Sequence, residues 1–296
     1  MNFQELYTAV LQQQFQPSKP IREARSIDIQ RNPVIISSRK YNGNSATVIV
    51  TTEDVLFFTA SNLKLTSLKE SQLWQQSAWY QAIQQLPANT IIRGEVFVEN
   101  TTIENLSLFQ TWYTWHMNKL SEGNKPALAS FLAFDALCYA GQPLAQLPYK
   151  DRLAFLPQAL QVQRAPYTNL QETEQAAEQA RREKIEGYVF WDANAASYCK
   201  LSGSNYPRGG AWKAKPSFRE TFQFINFINP DPNKLIVKLG NNRMEFNCGS
   251  GLTYLERCAL VAQAKSGQSI TVDIAHYGID ETGKPELPVM CAILGN

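Results

Sequence analysis

Apolar and polar residues follow two different periods along the first two thirds of the chain. Short apolar runs bounded by turn residues predict strands, and apolar residues spaced three and four apart predict helices. The predicted strands comprise residues 34–39, 46–51, 55–59, 91–98, 128–138, 160–163, 187–191 and 210–215. The predicted helices comprise residues 2–15, 68–86, 103–120, 149–156 and 170–184.

Beyond residue 217 the pattern changes to short strands separated by turn signals. A single helix is predicted there, over residues 252–265. The predicted strands comprise residues 221–228, 235–239, 244–248, 269–276 and 287–293. Five strands with one intervening helix fit an OB-fold β-barrel. The 296 residues exceed the usual size of one domain. We therefore predict an α+β protein with two domains, residues 1–217 and 218–296.

Composition limits the functional classes only weakly. A net charge of +2 leaves nucleic-acid binding to local clusters of basic residues. The five cysteines form no C-x-x-C pair, and with only two histidines the chain lacks an ordinary zinc motif. No apolar run approaches the ~18 residues of a membrane span, and the N-terminal stretch lacks the apolar core of a signal peptide. We expect a cytoplasmic protein with no membrane partner.

Lys40 is the first candidate for chemistry. It follows the apolar residues 34–36 and precedes Asn42 and Gly43, which favour a turn. A lysine at the rim of a sheet can act as a nucleophile towards phosphorus if its amine is neutral. For an isolated K-x-N-G sequence, an exposed lysine before a turn is the commoner interpretation.

Charged residues in four later apolar segments strengthen the case for a site. Glu95 lies inside a predicted strand, Asp135 follows the apolar residues 131–133, and Glu186 begins another strand. Lys213 and Lys215 alternate onto one face of a strand, where they could bind phosphate oxygens. Buried charges are costly unless they are paired or bind a metal. Each acid could instead pair with a nearby arginine, and each lysine could be exposed, but the ordered set favours an active site.

This ordered set resembles the motifs of the covalent nucleotidyltransferase superfamily, which contains ATP-dependent DNA ligases, RNA ligases and mRNA capping enzymes. The matching segments, from motif I to motif V, are residues 40–43, 94–95, 134–135, 186–189 and 213–215. Phe109-Gln110, residues 247–252 and Glu256-Arg257 are similar to segments of the DNA-ligase branch. The chain looks most similar to the small two-domain viral and bacterial type of ATP-dependent DNA ligase.

The resemblance implies a fold and a reaction. The fold is a nucleotidyltransferase domain with ATP-grasp-like mixed sheets and helices, followed by the OB-fold domain. Lys40 would attack the α-phosphate of ATP to form a lysyl-AMP phosphoramidate, with Phe134 stacked on adenine. AMP would pass to the 5′-phosphate at a nick in double-stranded DNA, and the 3′-hydroxyl would displace it. The protein is expected to be a monomer.

The resemblance also assigns the residues of the site. Those expected to bind the nucleotide are Ser38, Lys40, Glu95, Phe134, Glu186, Lys213 and Lys215. Glu95 and Glu186 would hold Mg²⁺, which suits carboxylate and phosphate ligands. Lys213 and Lys215 would neutralise the α-phosphate in catalysis. With the metal, these two lysines are expected to lower the pKa of Lys40 by like-charge repulsion.

Three basic positions of the family are missing. Family motif I reads K-x-D-G-x-R, whereas this chain has Asn42 and Ser45 at the acid and arginine positions. Residues 59–62 lack the arginine of motif Ia, and residues 290–296 lack the basic residues of motif VI. In the family, the arginines of motifs I and Ia grip the 5′-phosphate at the nick, and the basic residues of motif VI orient the pyrophosphate leaving group. The first and second steps therefore lack these family contacts in this chain.

Three alternatives to a DNA ligase follow from the same motifs. The chain could be an RNA ligase, a capping-type nucleotidyltransferase, or a degenerate homologue that binds nucleic acid or nucleotide without turnover. RNA therefore stands beside DNA as a possible partner.

Lys64 and Lys69 lie close enough in the sequence to replace the missing phosphate contacts.

Overall fold

The computed structural model describes residues 2–12, 15–17, 24–59, 77–98, 129–197, 199–201, 210–231, 234–279, 282–285 and 288–294. The chain divides into two compact units between Lys215 and Pro216. All the predicted site residues belong to the first unit. Among the described residues, no helix has the length and apolar character needed to cross a bilayer.

The described residues of the first unit form three antiparallel sheets and several short helices. Its described strands are β1 (Phe15–Pro17), β2 (Ile35–Lys40), β3 (Gly43–Val50), β4 (Val55–Thr59), β5 (Thr90–Val98), β6 (Ala129–Tyr139), β7 (Gln142–Pro143), β8 (Gly187–Asp192), β9 (Cys199–Leu201) and β10 (Ala211–Ala214). Its described α-helices are α1 (Phe3–Leu11), α2 (Ser26–Gln30), α3 (Ala78–Gln84), α4 (Tyr149–Arg152) and α5 (Thr173–Glu183). Three-residue 3₁₀ turns occur at Leu153–Phe155, Gln158–Leu160 and Leu170–Glu172.

The larger sheet has the strand order β4-β3-β5-β6-β7. Its central strands are apolar on both faces because both faces are covered. Val48 and Val50 of β3 pack into the main core on one face, while Ile49 packs against α1 on the other. The helix contributes Leu6 and Val10, which are four residues apart and therefore share one face.

The three-stranded sheet, β10-β8-β2, carries the nucleophile candidate. One face of β8 adds Val189 and Trp191 to the main core of the first unit. The other face packs Phe190 against Ala176 and Ala180 of α5. Because β8 is central and covered on both sides, its residues are almost all buried. A further sheet of two strands pairs β1 with β9.

Several predicted elements differ from the structure. The first helix ends at Leu11, short of the predicted residue 15. α2 lies where neither a helix nor a strand was predicted, and its first turn is fixed by the Arg25 N–H, which donates to the Asp28 carboxylate at 2.9 Å. The strand predicted at residues 160–163 is wrong. Pro157 begins a 3₁₀ turn there, followed by single bridges from Gln161 to Ala133 and from Arg164 to Ser38.

Other predictions fall on parts of the chain that the structure does not describe. They are the helix at residues 103–120, residues 68–76 of the helix at 68–86, the Phe109-Gln110 pair, Lys64 and Lys69. The predicted strand at residues 46–51 occurs as β3, which begins earlier, at Gly43. Its first residues pair with Glu95–Phe97 of β5 although they are small or polar.

The second unit is a five-stranded antiparallel sheet with one helix among its described residues. Its elements are β11 (Phe218–Asp231), β12 (Lys234–Gly240), β13 (Glu245–Cys248), α6 (Tyr254–Lys265), β14 (Thr271–His276) and β15 (Val289–Leu294). The strand order is β13-β12-β11-β14-β15. The Met290 N–H donates to the Ser250 carbonyl at 3.0 Å, which brings the last strand next to the end of the third. Val272 and Ile274 alternate into a core closed by Leu260 of α6.

Candidate active site

Register across the three-stranded sheet places the candidate residues in rows. Ser38 of β2 lies opposite Val189 of β8, which lies opposite Lys213 of β10. Directly opposed residues of antiparallel strands project from the same face. Lys40, two residues after Ser38, projects from that face as well and lies opposite Gly187. The strands therefore bring Ser38, Lys40 and Lys213 to one face of the sheet.

Two glycines permit the close approach of backbone around Lys40. At Gly187, where φ is +147°, a Cβ atom would lie 2.2 Å from the Ala214 carbonyl oxygen. At Gly43 a Cβ atom would lie 2.0 Å from the Val96 carbonyl oxygen. Both distances are far below van der Waals contact, so the glycines of motifs I and IV are steric requirements of this fold.

Lys40, Glu186 and Lys215 form a bridged ion cluster. The Lys40 Nζ lies 2.8 Å from one oxygen of the Glu186 carboxylate, and the Lys215 Nζ lies 2.7 Å from the other. The side chains of the three residues are 22%, 10% and 11% exposed, respectively. Burial raises the pKa of Glu186, but the two lysines outweigh it, so the pKa is lower than the usual value. The carboxylate is therefore ionised and fully paired at neutral pH.

The two lysines do not lower the pKa of Lys40 as expected. Burial lowers the pKa of this amine, but the charges of Glu186 and Glu95 and the hydrogen bond to Glu186 together raise it above the ordinary value. Lys215 sits on the far oxygen of the same carboxylate, where its charge is compensated. The amine of Lys40 is consequently an ammonium group that must lose a proton before it can attack phosphorus.

Glu95 differs from Glu186 in its electrostatics, although both acids belong to one site. It lies in β5, opposite Ser45 of β3, and lines the cleft that contains Lys40. Burial is the main cause that raises the pKa of Glu95 to about 8; Lys40 lowers it and the nearby Glu186 charge raises it. Glu95 is therefore mostly protonated at neutral pH while Glu186 is ionised.

Glu95→Gln is expected to remove a pH-dependent loss of stability. The pKa of Glu95 is 4.5 in its ordinary state and about 8 in the fold, so folding retains a proton that the unfolded chain releases. The retained proton stabilises the folded state. This contribution is fully present below pH 4.5 and is lost as the pH rises through about 8. The free energy of unfolding of wild type relative to the variant should fall by about 5 kcal/mol across this window, since each pKa unit corresponds to about 1.4 kcal/mol.

The measurement is urea unfolding of both proteins in EDTA, at about pH 5 and about pH 8. The chelator keeps metal from neutralising the carboxylate. Parallel pH curves for wild type and variant would contradict the raised pKa of Glu95.

An aromatic stack forms the apolar part of the cleft. The Phe134 and Trp191 rings stack with centroids 5.6 Å apart, and Trp191 stacks on Tyr149 at 4.9 Å. The Trp191 indole N–H donates to the Ser38 hydroxyl at 3.2 Å, and the Tyr149 hydroxyl donates to the Phe134 carbonyl at 2.9 Å. The Arg93 guanidinium lies 5.3 Å from the centre of the Phe134 ring. These contacts fix the position of the ring predicted to stack on adenine.

Asp135 has a structural partner. Arg152, which is fully buried, donates to both carboxylate oxygens of Asp135, at 2.7 and 3.3 Å. The Ser197 hydroxyl donates to the same carboxylate at 3.1 Å. The alternative interpretation, in which a strand acid pairs with a nearby arginine, is therefore confirmed for Asp135. The pairing anchors β6 directly beside Phe134.

The structure brings most of the predicted site residues together. The cleft is lined by Ser38, Arg39, Lys40, Tyr41, Glu95, Phe134, Val162, Val189 and Trp191. Glu186 and Lys215 join it through the ion cluster. Lys213 shares the face of the sheet through its register, but it is not among the lining residues. The sequence prediction missed Trp191, although its strand period alone would have placed it on the face that carries Val189.

A preformed metal cage is absent from the described part of the chain, where no three metal-binding side chains cluster. Glu95 and Glu186 nevertheless lie close enough for the charge of one to raise the pKa of the other. Two carboxylates with this mutual repulsion suit a divalent cation that also binds phosphate oxygens. The donor set therefore fits Mg²⁺ bound together with a nucleotide.

A lysine paired with a carboxylate, a second lysine on the same carboxylate and an aromatic platform in one cleft define an enzyme of the nucleotidyltransferase type. The sequence model of a family described as ATP dependent DNA ligase domain matches residues 17–201, which is more than half of the chain. The chain therefore belongs to the ATP-dependent DNA ligase family. It is an ATP-dependent DNA ligase, with ATP as the adenylate donor and DNA as its partner.

Solved structures agree with this fold. A structure from a structure-function analysis of Lig E DNA ligases superposes with a TM-score of 0.62 at 17% identity, covering 93% of this chain and 97% of its own. A structure described as Pmar-Lig_Pre superposes with a TM-score of 0.66 at 15% identity, covering 93% of this chain and 66% of its own. No curated protein matches the chain. The RNA ligase, capping and non-catalytic alternatives find no support in these comparisons.

Proposed function

We propose that this ligase seals nicks in double-stranded DNA through a lysyl-AMP intermediate on Lys40. The observation that carries the proposal is the cluster in which the Lys40 amine and Lys215 share the Glu186 carboxylate within one cleft. A nucleophile needs an adjacent group that controls its protonation, and Glu186 at 2.8 Å from the amine is such a group.

In the first step, the neutral Lys40 amine attacks the α-phosphorus of ATP. A nitrogen–phosphorus bond forms, the bond to pyrophosphate breaks, and the nitrogen releases one of its two protons. Because the pKa of Lys40 is raised by Glu186 and Glu95, the ion pair must be disturbed when the nucleotide enters. The triphosphate carries the charge to do this, since its oxygens compete with Glu186 for Lys215.

In the second and third steps AMP leaves Lys40. The 5′-phosphate oxygen of the nick attacks the phosphoramidate phosphorus and releases the lysine. The 3′-hydroxyl then attacks the 5′-phosphorus, and AMP departs as the strand is sealed. Positioning and charge stabilisation account for most of the catalysis in such transfers. Lys213 and Lys215 stabilise charge on the α-phosphate in all three steps.

The aromatic stack and the Ser38 hydroxyl form the base-binding side of the cleft. Phe134 binds the face of adenine, and its ring is held by Trp191 and by the Arg93 guanidinium. Aromatic stacking contributes about 1–3 kcal/mol for each base. Ser38 is held by Trp191 at the edge of the stack, where its hydroxyl can also meet the base or ribose.

Glu95 and Glu186 would hold Mg²⁺ when the nucleotide is bound. The ion supplies positive charge that offsets the developing charge on the phosphate oxygens. Its binding requires Glu95 to release the proton that its pKa of about 8 retains. Adenylation is therefore expected to gain from a rise in pH towards that value.

The second unit is proposed to be an OB-fold domain that binds the DNA duplex. Support comes from its strand order, from the helix between the third and fourth strands, and from the hydrogen bond between Met290 and Ser250 that joins the last strand to the end of the third. OB folds commonly bind oligonucleotides on their barrel surface.

The proposal predicts one AMP adduct per chain. Incubation with ATP and Mg²⁺ should add the mass of one AMP, and GTP should add nothing. EDTA should abolish the adduct, because both carboxylates act with the metal. Intact-mass spectrometry measures the adduct, and a gel assay with a 5′-labelled nicked duplex measures sealing. The proposal fails if the protein gains GMP or if it seals no nick after gaining AMP.

A further inference from the structure

Arg164 is an exposed cation at the edge of the three-stranded sheet. It forms a single antiparallel bridge with Ser38 of β2. The Ala165 N–H donates to the Ser37 carbonyl at 3.0 Å on one side of the bridge. A second hydrogen bond, from β2 to the carbonyl of the residue before Arg164, closes the other side at 2.8 Å. The backbone of Arg164 is therefore fixed against β2.

The bridge places Arg164 on the face of the sheet that carries the nucleophile candidate. Directly opposed residues of antiparallel strands project from the same face, so Arg164 shares the face of Ser38. Lys40 projects from that face as well. Val162, two residues before Arg164 in the same extended segment, lines the cleft. Arg164 thus extends the face that carries Lys40 to the edge of the sheet, where solvent reaches its side chain.

An electrostatic effect on Tyr149 agrees with this position. Burial raises the pKa of Tyr149 and the charge of Asp135 adds to the rise, while the charges of Arg164 and Arg152 oppose it. The Arg152 guanidinium lies 5.4 Å from the centre of the Tyr149 ring. Arg164 has the larger of the two opposing effects, so its guanidinium lies near the aromatic stack, at the end of the cleft proposed to bind the base.

Protein groups leave the charge of Arg164 uncompensated. Among the described residues, no carboxylate lies within 4.0 Å of its side chain. The two acids of the site have other partners or no charge. Glu186 is shared by Lys40 and Lys215, and burial keeps Glu95 mostly protonated at neutral pH. The guanidinium therefore keeps its donors for an anion from outside the protein.

The position of Arg164 indicates which anion it meets. The α-phosphate of ATP must reach Lys40, and the rest of the triphosphate continues away from the base. Arg164 lies beside Ser38, two strand residues or about 7 Å from Lys40, towards the base end. The triphosphate therefore extends away from Arg164. DNA is the other polyanion that a DNA ligase binds, and its backbone carries phosphates along the whole duplex.

We propose that Arg164 binds a backbone phosphate of the DNA duplex beside the nick. The inference rests on the proposed function. An exposed guanidinium forms bidentate, charge-assisted hydrogen bonds with phosphate. The contact supplies part of the positive charge that the chain lacks at Ser45 and within residues 59–62. Phosphate contacts of this kind position the protein on the duplex without reading its sequence.

The test measures binding of nicked duplex DNA by fluorescence anisotropy at several salt concentrations, for wild type, Arg164→Gln and Arg164→Lys. Arg182→Gln is the matched control. Arg182 is 70% exposed and belongs to α5, which packs on the opposite face of the same sheet. Titration calorimetry with ATP, in EDTA so that no adduct forms, measures the nucleotide site separately. Thermal midpoints check that each variant is folded.

Arg164→Gln is expected to bind nicked DNA about 5- to 10-fold more weakly, with Arg164→Lys intermediate and Arg182→Gln unchanged. The slope of log affinity against log salt should become shallower by about one in Arg164→Gln only. The loss should be equal on duplexes of different sequence, because the contact is to the backbone. Affinity for ATP should be unchanged.

Equal affinities and salt slopes for Arg164→Gln and wild type would overturn the proposal. An equal loss in Arg182→Gln would do the same, since the effect would then be one of overall charge. Weaker ATP binding by Arg164→Gln would assign the arginine to the nucleotide site instead. If wild type binds nicked DNA but forms no AMP adduct, the proposed function fails, yet the salt slope still decides the role of Arg164.

Discussion

Lys40→Ala is expected to abolish the AMP adduct and nick sealing, with activity reduced by a factor on the order of 10³ or more. The substitution removes the nitrogen that would bond to phosphorus. It also leaves Glu186 with Lys215 as its remaining cation, so a modest fall in thermal midpoint accompanies the loss. Intact-mass spectrometry after incubation with ATP and Mg²⁺ measures the adduct directly.

Lys40→Arg separates chemistry from stability. A guanidinium keeps a positive charge next to Glu186 but is not a nucleophile at neutral pH. This variant should retain most of the stability and still form no adduct. Lys150→Ala, an exposed change on α4, serves as the control and should react like wild type. Persistence of the adduct in Lys40→Ala would assign the nucleophile to another lysine.

Glu186→Gln is expected to lower both adenylation and stability. A buried acid without a partner could be removed at no cost in stability. The Glu186 carboxylate instead pairs with two lysines. Removing one partner of a buried pair costs about 3–5 kcal/mol, and partial exposure of the lysines reduces this to about 2 kcal/mol. The thermal midpoint should fall by roughly 5 °C.

The pH dependence gives a second measurement for Glu186. Its pKa is lowered in the fold, so its contribution is present above the ordinary value of 4.5 and is lost as pH falls below it. Wild type and Glu186→Gln should therefore converge in stability under acid conditions. Glu178→Gln is the matched control, since Glu178 also pairs with two cations, Arg181 and Arg182, but at the surface. Equal effects of the two substitutions would contradict the buried ion cluster.

The sequence predicted which residues lie together better than it predicted their interactions. Lys40, Glu95 and Glu186 were recognisable because each interrupts or borders an apolar strand, and strand periodicity is a local signal. Their protonation was not predictable, since it depends on which oxygen of Glu186 meets which lysine. That geometry arises from pairing between β2 and β8, which are far apart in the sequence.

The fold shows the same division between local and distant signals. Strands such as β4 and β5 were predicted closely because apolar runs and turn residues define them. Residues 160–163 were predicted as a strand, whereas the 3₁₀ turn Gln158–Leu160 runs into them, since a short apolar run after Pro157 fits both structures. The Arg152–Asp135 pair was not identified, because nothing in the sequence shows which arginine reaches a given acid.

The Lys40–Glu186 pair has a consequence for biosynthesis, because 146 residues separate its members. Lys215, the other partner of Glu186, comes later still. Closing the loop between Lys40 and Glu186 costs conformational entropy, and the ion pair can offset this cost only after the loop has closed. Lys40 thus leaves the ribosome well before the groups that pair with it. A nascent chain should become reactive towards ATP only after Lys215 has emerged, so a prematurely terminated chain would carry the nucleophile without becoming adenylated.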